Sequence, residues 1–256
     1  MKKAWSLKSL MIAAGLALAA SSAASADNLK LYAAAGVKSP VERMAADFEK
    51  TSGQKITMIF DTAGAAQQRF LADPDATFLI TTAILINNSL KADKLKDGAV
   101  TVVGDTVGGF AAPPGAPKPD ISTTEKFKAA LLNANRIVFS DPARGATVGL
   151  HFMKVIEAMG IKDEILKKAT LAPDGLVTMK LVLEGKADLA VTQLSEIVQA
   201  NPAALVGPFP PEYDLSTTYS LWLHNDAPAS AKAFAKLITS PAERAKLESY
   251  GLRPPK

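Results

Sequence analysis

The sequence predicts an α/β protein of two lobes with a cleft between them, the chain crossing from one lobe to the other and back. Three observations predict it. Apolar strand runs alternate with amphipathic helical segments from Asp27 onward. Two proline-rich stretches, 113–119 and 207–211, interrupt that alternation. Four short connections of small or hydroxyl residues each open a helix, three of them directly after a strand.

The first 26 residues stand apart. Lys2, Lys3 and Lys8 give a basic start, Leu10 to Ala20 is apolar, and Ala24-Ser25-Ala26 matches a cleavage signature. That apolar run is about half the ~20 residues a membrane-spanning helix needs. Residues 1–26 are therefore expected to be a signal peptide, with the mature chain beginning at Asp27 in the periplasm. The sequence has no cysteine, which excludes disulfides, thiolate metal sites and a lipid-anchored N-terminus. The net charge is +4, and the three early lysines leave +1 for the rest. Acids and bases are interspersed, as on solvated helix faces, so neither nucleic acid nor a membrane surface is an expected partner.

The elements follow in order. Leu29–Ala34 reads as a strand, Ser39 to Lys50 as a helix with Val41, Met44, Ala45 and Phe48 on one face, and Lys55–Phe60 as a second strand. Ala65 to Leu71 is a helix, Thr77–Thr81 a strand, and Ile84 to Leu95 a helix. Val100–Ala112 reads as strand, break, strand, because glycines fall at 104, 108 and 109. Helices are expected over Thr124 to Asn133, Gly149 to Met159, Leu176–Glu184 and Ser195–Ala200, and strands over Arg136–Phe139 and Asp188–Thr192. Thr217–Leu223 closes the strand set, followed by helices over Ala229 to Ile238 and Pro241 to Tyr250. Residues 27–104 are assigned to the first lobe, 105–205 to the second and 206–256 to the return, with hinges near Gly104–Thr106 and Val206–Pro208. The sheets are expected to be mostly parallel.

The four connections carry the chemistry. They are Ala33 to Gly36, Asp61 to Gly64, Asp141 to Gly149, and Ala172 to Gly175. A helix's first turn presents unpaired backbone N–H groups and partial positive charge, and small residues let a ligand come close to them. In open α/β sheets this crevice lies beyond the carboxyl ends of the strands. A small anion is the ligand this pattern fits. Each piece also has a local explanation: Ser39-Pro40-Val41-Glu42 fits a capping box, Thr62 fits a cap, and Gly145 and Gly149 fit tight turns.

Taken in order, Leu31-Tyr32-Ala33-Ala34-Ala35, Phe60-Asp61-Thr62-Ala63-Gly64, Asp141-Pro142 with its glycine-rich loop, and Leu194-Ser195-Glu196 resemble the periplasmic molybdate-binding proteins, and more narrowly a divergent branch of substrate-binding proteins. The resemblance covers nearly the whole mature chain. It implies a type II periplasmic binding fold that captures a small anion for an ABC importer, works as a monomer and uses no cofactor or metal. It puts ligand contacts at Gly36, Thr62, Ala63, Val148, Val177 and Thr192. This sequence departs from the family pattern in three places. Gly36 stands where a serine is expected, Thr192 where a late tyrosine is expected, and Thr62-Ala63 where a serine pair is usual. Those losses of hydroxyls favour a small organic acid over molybdate itself, with Gln193, Thr147 or Arg144 as carboxylate partners.

The same branch includes proteins resembling aconitate isomerases, which gives the alternative function: proton transfer interconverting cis- and trans-aconitate. For that chemistry the candidates are His151 in the first turn after the glycine-rich loop, Glu196 and Asp61. His224, beside Asn225 and Asp226, reads as a turn residue. No nucleophile elbow, H-E-x-x-H or P-loop motif is present.

Overall fold

The computed structural model describes residues 28–254. Residues 1–26, the expected signal peptide, lie outside them. The first lobe opens with β1 (Leu29–Ala34), α1 (Lys38–Ser52), β2 (Ile56–Asp61), α2 (Ala63–Ala72), β3 (Phe78–Thr82) and α3 (Ala83–Lys91). A long strand, β4 (Gly98–Ala111), leads into α4 (Thr124–Asn133), β5 (Ile137–Ser140), α5 (Thr147–Ala158) and α6 (Lys162–Leu166). Then come β6 (Ala169–Ala172), α7 (Gly175–Leu183), β7 (Leu189–Gln193), α8 (Leu194–Ala200) and β8 (Leu205–Pro208). The chain returns through β9 (Ser216–His224) to α9 (Ala229–Ile238) and α10 (Pro241–Arg244).

Strand order is β2-β1-β3-β9-β4-β7-β5-β6, with β8 also paired to β4. β1 pairs in parallel with β2 and β3, and β5 with β6 and β7. Between these two sets, β9 and β4 run antiparallel to their neighbours. The expected mostly parallel sheets are therefore mixed. The reason is the double crossing: one strand carries the chain out and another brings it back, and the two pair with each other.

β4 also replaces the expected strand-break-strand. Up to Val107 it pairs with β9, and from Gly108 it pairs with β7 and β8. Its glycines mark a bulge and close approaches rather than a gap. The register shifts between Val102 and Gly104, and a Cβ on Gly108 would lie 2.8 Å from the Phe209 ring. Two strands went unread in the sequence, β6 and β8. Each has only four residues, most of them partly or fully exposed. The expected helix 241–250 divides into α10 and a separate 3-10 turn at Leu247–Tyr250, which stops at Gly251 in the left-handed region.

Each lobe has its own core. Alternate residues of β1 (Leu29, Leu31, Ala33) join Val41, Met44, Phe78 and Phe234 on one face of the first sheet. Tyr32 points to the other face and packs with Phe70, Leu79, Ile86 and Trp222. The second lobe is built on Phe110, Phe127, Phe139 and Phe152, with Phe209 closing over them. Val206, Tyr213 and Leu215 also pack against this second core.

Candidate functional site

The carboxyl ends of β1, β2, β5 and β7 and the foot of α7 converge from both lobes on one buried cavity. The first lobe contributes Ala34 to Gly36 and Asp61 to Ala63. The second contributes Ser140, Ala146 to Val148, Gly175, Thr192, Gln193 and Glu196, and Tyr219 on β9 completes the wall. All four loops singled out in the sequence meet here. Among the lining residues there is no lysine, arginine or histidine.

The helix openings differ in how they are capped. Thr62 caps α2 by accepting from Ala65 N–H at 3.2 Å, and Asp174 caps α7 by accepting from Val177 N–H at 2.8 Å. The donor expected at Val177 is thus already taken by its own helix cap, and Val177 is not in the lining. α5 starts after Ala146 with no side-chain cap, so the cavity faces its first turn directly. The capping box expected at Ser39 does not form. α1 begins one residue earlier, and Ser39 N–H donates to Gln199 Oε1 at 3.0 Å, while Gln199 Nε2 donates to Gly36 O at 2.8 Å. Gln199 belongs to α8, so this pair ties the lobes together.

Other contacts close the cleft. Arg144 donates to Asp61 Oδ1 at 2.8 Å and Oδ2 at 3.0 Å across the lobes, and to Pro173 O at 2.8 Å. Thr62 Oγ1 donates to Arg144 O, and Gly64 N–H donates to Gly145 O at 3.2 Å. A Cβ on Gly64 would come within 2.8 Å of Gly145 Cα, so only glycines allow this approach. The remaining enclosed space is about 20 Å³ for the centre of a water-sized sphere. That holds a water molecule and no organic acid, so a ligand must part the lobes to enter. Arg144→Met is accordingly expected to enlarge the radius of gyration of the ligand-free protein in solution scattering. An unchanged radius would mean that Arg144 is not a latch.

The structure separates the three catalytic candidates. Asp61 lies in the wall but is held by Arg144 and, at 3.0 Å, by Arg69. His151 is outside the cavity: its Nε2 lies 2.8 Å from Tyr213 O, its ring stacks edge-on against Phe209, and it lines a separate groove with Leu150 and Lys154. His224 pairs with Asp226 at a surface turn. Glu196 is the candidate that the cavity keeps. Its carboxylate accepts from Thr192 Oγ1 and from Gln193 N–H at 3.1 Å. Burial pushes its carboxyl up to about 7, against the pull of those two hydrogen bonds.

Tyr219 was not read from the sequence. Its phenol lies against Gly36, where any side chain would overlap it. A hydroxyl from β9 thus occupies the space that a side chain at Gly36 would fill. Burial raises the Tyr219 phenol well above its ordinary value, and the nearby Glu196 adds to this. Only Gly36 could have signalled this tyrosine, as a position left empty for a neighbour.

Residues 29–253 match the family profile of bacterial extracellular solute-binding proteins. The chain belongs to this family. Among solved structures this solute-binding protein resembles the periplasmic molybdate-binding protein of Azotobacter vinelandii, with 18% identity, a TM-score of 0.72, and coverage of 90% of this chain and all of that one. It also resembles PEB3 of Campylobacter jejuni, in a structure described as L-phospholactate-bound. There the identity is 16%, the TM-score 0.65, and coverage 88% and 99%. Both likenesses place the family fold, two lobes about a cleft, on this chain. A curated relative, the aconitate isomerase of a Pseudomonas species, is 24% identical over 234 residues, spanning 88% of this chain and 87% of its own length. No helix among the described residues is long and apolar enough to cross a membrane.

Proposed function

We propose that this protein is exported to the periplasm, captures a small organic anion between its lobes as a monomer, and delivers it to an ABC importer. The observation that carries this reading is the convergence of helix openings from both lobes on one buried cavity whose lining offers backbone N–H and hydroxyl donors and no cationic side chain. In this reading the ligand contacts are Gly36, Thr62, Ala63, Thr147, Val148, Thr192 and Gln193, joined by Tyr219. The lobes turn about the β4–β9 ladder, near Asp105–Gly108 and Leu215–Thr218, where the pairing of β4 changes. PEB3, whose structure is described as holding L-phospholactate, shares the fold, which supports a small organic anion.

The experiment is a thermal-shift panel on residues 27–256 with molybdate, tungstate, sulfate, phosphate, citrate, and cis- and trans-aconitate. A compound at 100 times its Kd adds about 2.7 kcal/mol, a rise of roughly 5–10 °C for a chain this size. A shift with an organic acid is the expected result. A shift with molybdate or tungstate alone would replace the organic acid by an inorganic oxyanion, and no shift at all would remove the anion reading.

A second reading, aconitate isomerisation, is favoured by the presence of Glu196 and Tyr219 in the cavity and by the Pseudomonas relative. Both groups hold protons there without a cation partner, so they would have to carry a proton from one carbon to another. Proton NMR of cis-aconitate incubated with the protein tests it: appearance of trans-aconitate supports turnover, and an unchanged spectrum leaves capture alone.

A further inference from the structure

We propose that anion binding in this cavity takes up a proton, with Glu196 entering the loaded site as the neutral acid and donating a hydrogen bond to the bound anion. This rests on the small-anion reading above and adds the protonation state that makes such a site workable.

The geometry carries it. Glu196 is the third residue of α8 and is buried. Its carboxyl is wedged against the first residue of α7, Gly175, so tightly that any Cβ there would overlap it. It therefore cannot swing out to water when the cleft fills. Its hydrogen-bond partners are Thr192 Oγ1 and Gln193 N–H, and no cation among the described residues pairs with it. The other acid of the wall, Asp61, is neutralised by Arg69 and Arg144. Glu196 is thus the charge in the wall that a bound anion would meet without compensation. Two like charges in so dry a place repel strongly, whereas the neutral acid turns the same group into a donor aimed at the ligand.

The surroundings do not supply a counter-charge. Asp174, the cap of α7, is the charged group that acts on it, in the same direction as burial, toward the neutral acid. Tyr219 on β9 keeps its own proton. Asp105 of β4 and Glu248 of the C-terminal turn belong to elements that also pack on α8, yet neither is among the groups that shift Glu196. With the carboxyl near 7, the proton is available at neutral pH and withdrawn slightly above it. The consequence is a receptor that holds its anion tightly in mildly acidic surroundings and loosens it as the medium turns alkaline.

Calorimetric titration with trans-aconitate and with molybdate tests this, because both probes are essentially fully ionised from about pH 7.5 to pH 9, the window in which the slope is read. For whichever binds, Kd is expected to weaken about tenfold per pH unit above about pH 7. At about pH 8, heats measured in two buffers of different ionisation enthalpy should report uptake of close to one proton. Glu196→Gln should lose the pH slope and, at about pH 8.5, bind at least tenfold more tightly than the parent protein. A parent protein that binds with a flat pH profile and no proton uptake would overturn the proposal, as would a Gln variant that keeps the slope. Infrared spectroscopy of the ligand-free protein at about pH 6 separates this from the anion reading. A protonated-carboxyl band lost in Glu196→Gln is expected. Its absence overturns the proposal whatever binds, while its presence with neither probe binding sinks the choice of anion instead.

Discussion

Replacing Phe110 by alanine is expected to lower stability by about 3–5 kcal/mol, and the melting temperature by roughly 6–20 °C. Phe110 sits on the second-lobe end of β4, opposite Val191 of β7 and Gly207 of β8, and is fully buried. Its ring meets three others edge-on or nearly so: Phe127 at 5.0 Å, Phe209 at 4.6 Å and Phe152 at 6.2 Å between centroids. Removing it takes one partner from all three contacts and leaves a void ringed by aromatic groups anchored on three different parts of the chain. Such a ring collapses poorly, because α4, α5 and the 209–213 segment are each held by other contacts. Equilibrium unfolding by denaturant checks the figure. A loss below about 1 kcal/mol would mean that the second lobe repacks around the gap and that this cluster is not its core.

The sequence made the alternation of elements visible because most strands are apolar runs and most helices carry a stripe. The helices over 124–133 and 229–238 have Phe127 and Leu131, and Ala231, Phe234 and Ile238, on the buried side. It was less informative where position in the sheet decides. β6 is an edge strand whose middle residues, Thr170 and Leu171, are exposed, so it lacks the apolar run that announces a strand. The glycines of β4 look like breaks in one dimension. In three they make room for Phe209, Gly207 and Arg253 from other parts of the chain.

The site divides in the same way. Thr62, Thr147, Val148, Thr192 and Gln193 were legible because loop and helix opening are local, and local order fixes which backbone groups face outward. Tyr219, the Gln199 clamp and the Arg144–Asp61 pair were not legible. Each joins residues more than 80 positions apart in the chain. Val177 lies outside the lining for a local reason that was present in the sequence: Asp174, three residues earlier, is a strong N-cap and takes its N–H. His151 failed because adjacency to the loop says nothing about which side of α5 a residue occupies. Val148 and Gly149 face inward at that turn, and His151 lies on another side.

The second large effect is the pH dependence that Glu196 imposes on folding. In the unfolded chain its carboxyl ionises near the model-peptide value of 4.5, whereas in the folded protein burial holds the proton to about 7. Between these values the native state binds more protons than the unfolded state, so stability falls as pH rises. The contribution is fully present below about 4.5 and is lost by the time pH has passed about 7. Its size is about 3 kcal/mol, from roughly 1.4 kcal/mol for each pH unit of displacement. Glu196→Gln removes the titration and keeps the shape and an acceptor for Thr192. The variant and the parent should therefore differ little at about pH 4, whereas by about pH 8 the variant should be the more stable by up to about 3 kcal/mol. Taking the difference between the two proteins at each pH cancels every other titrating group, so denaturant unfolding at about pH 4, 6 and 8 isolates Glu196. A difference that does not grow with pH would mean that Glu196 is ionised in the folded protein despite its burial. In that case the cavity would carry a permanent negative charge, and the ligand it accepts would have to bring a cationic or neutral group to that wall.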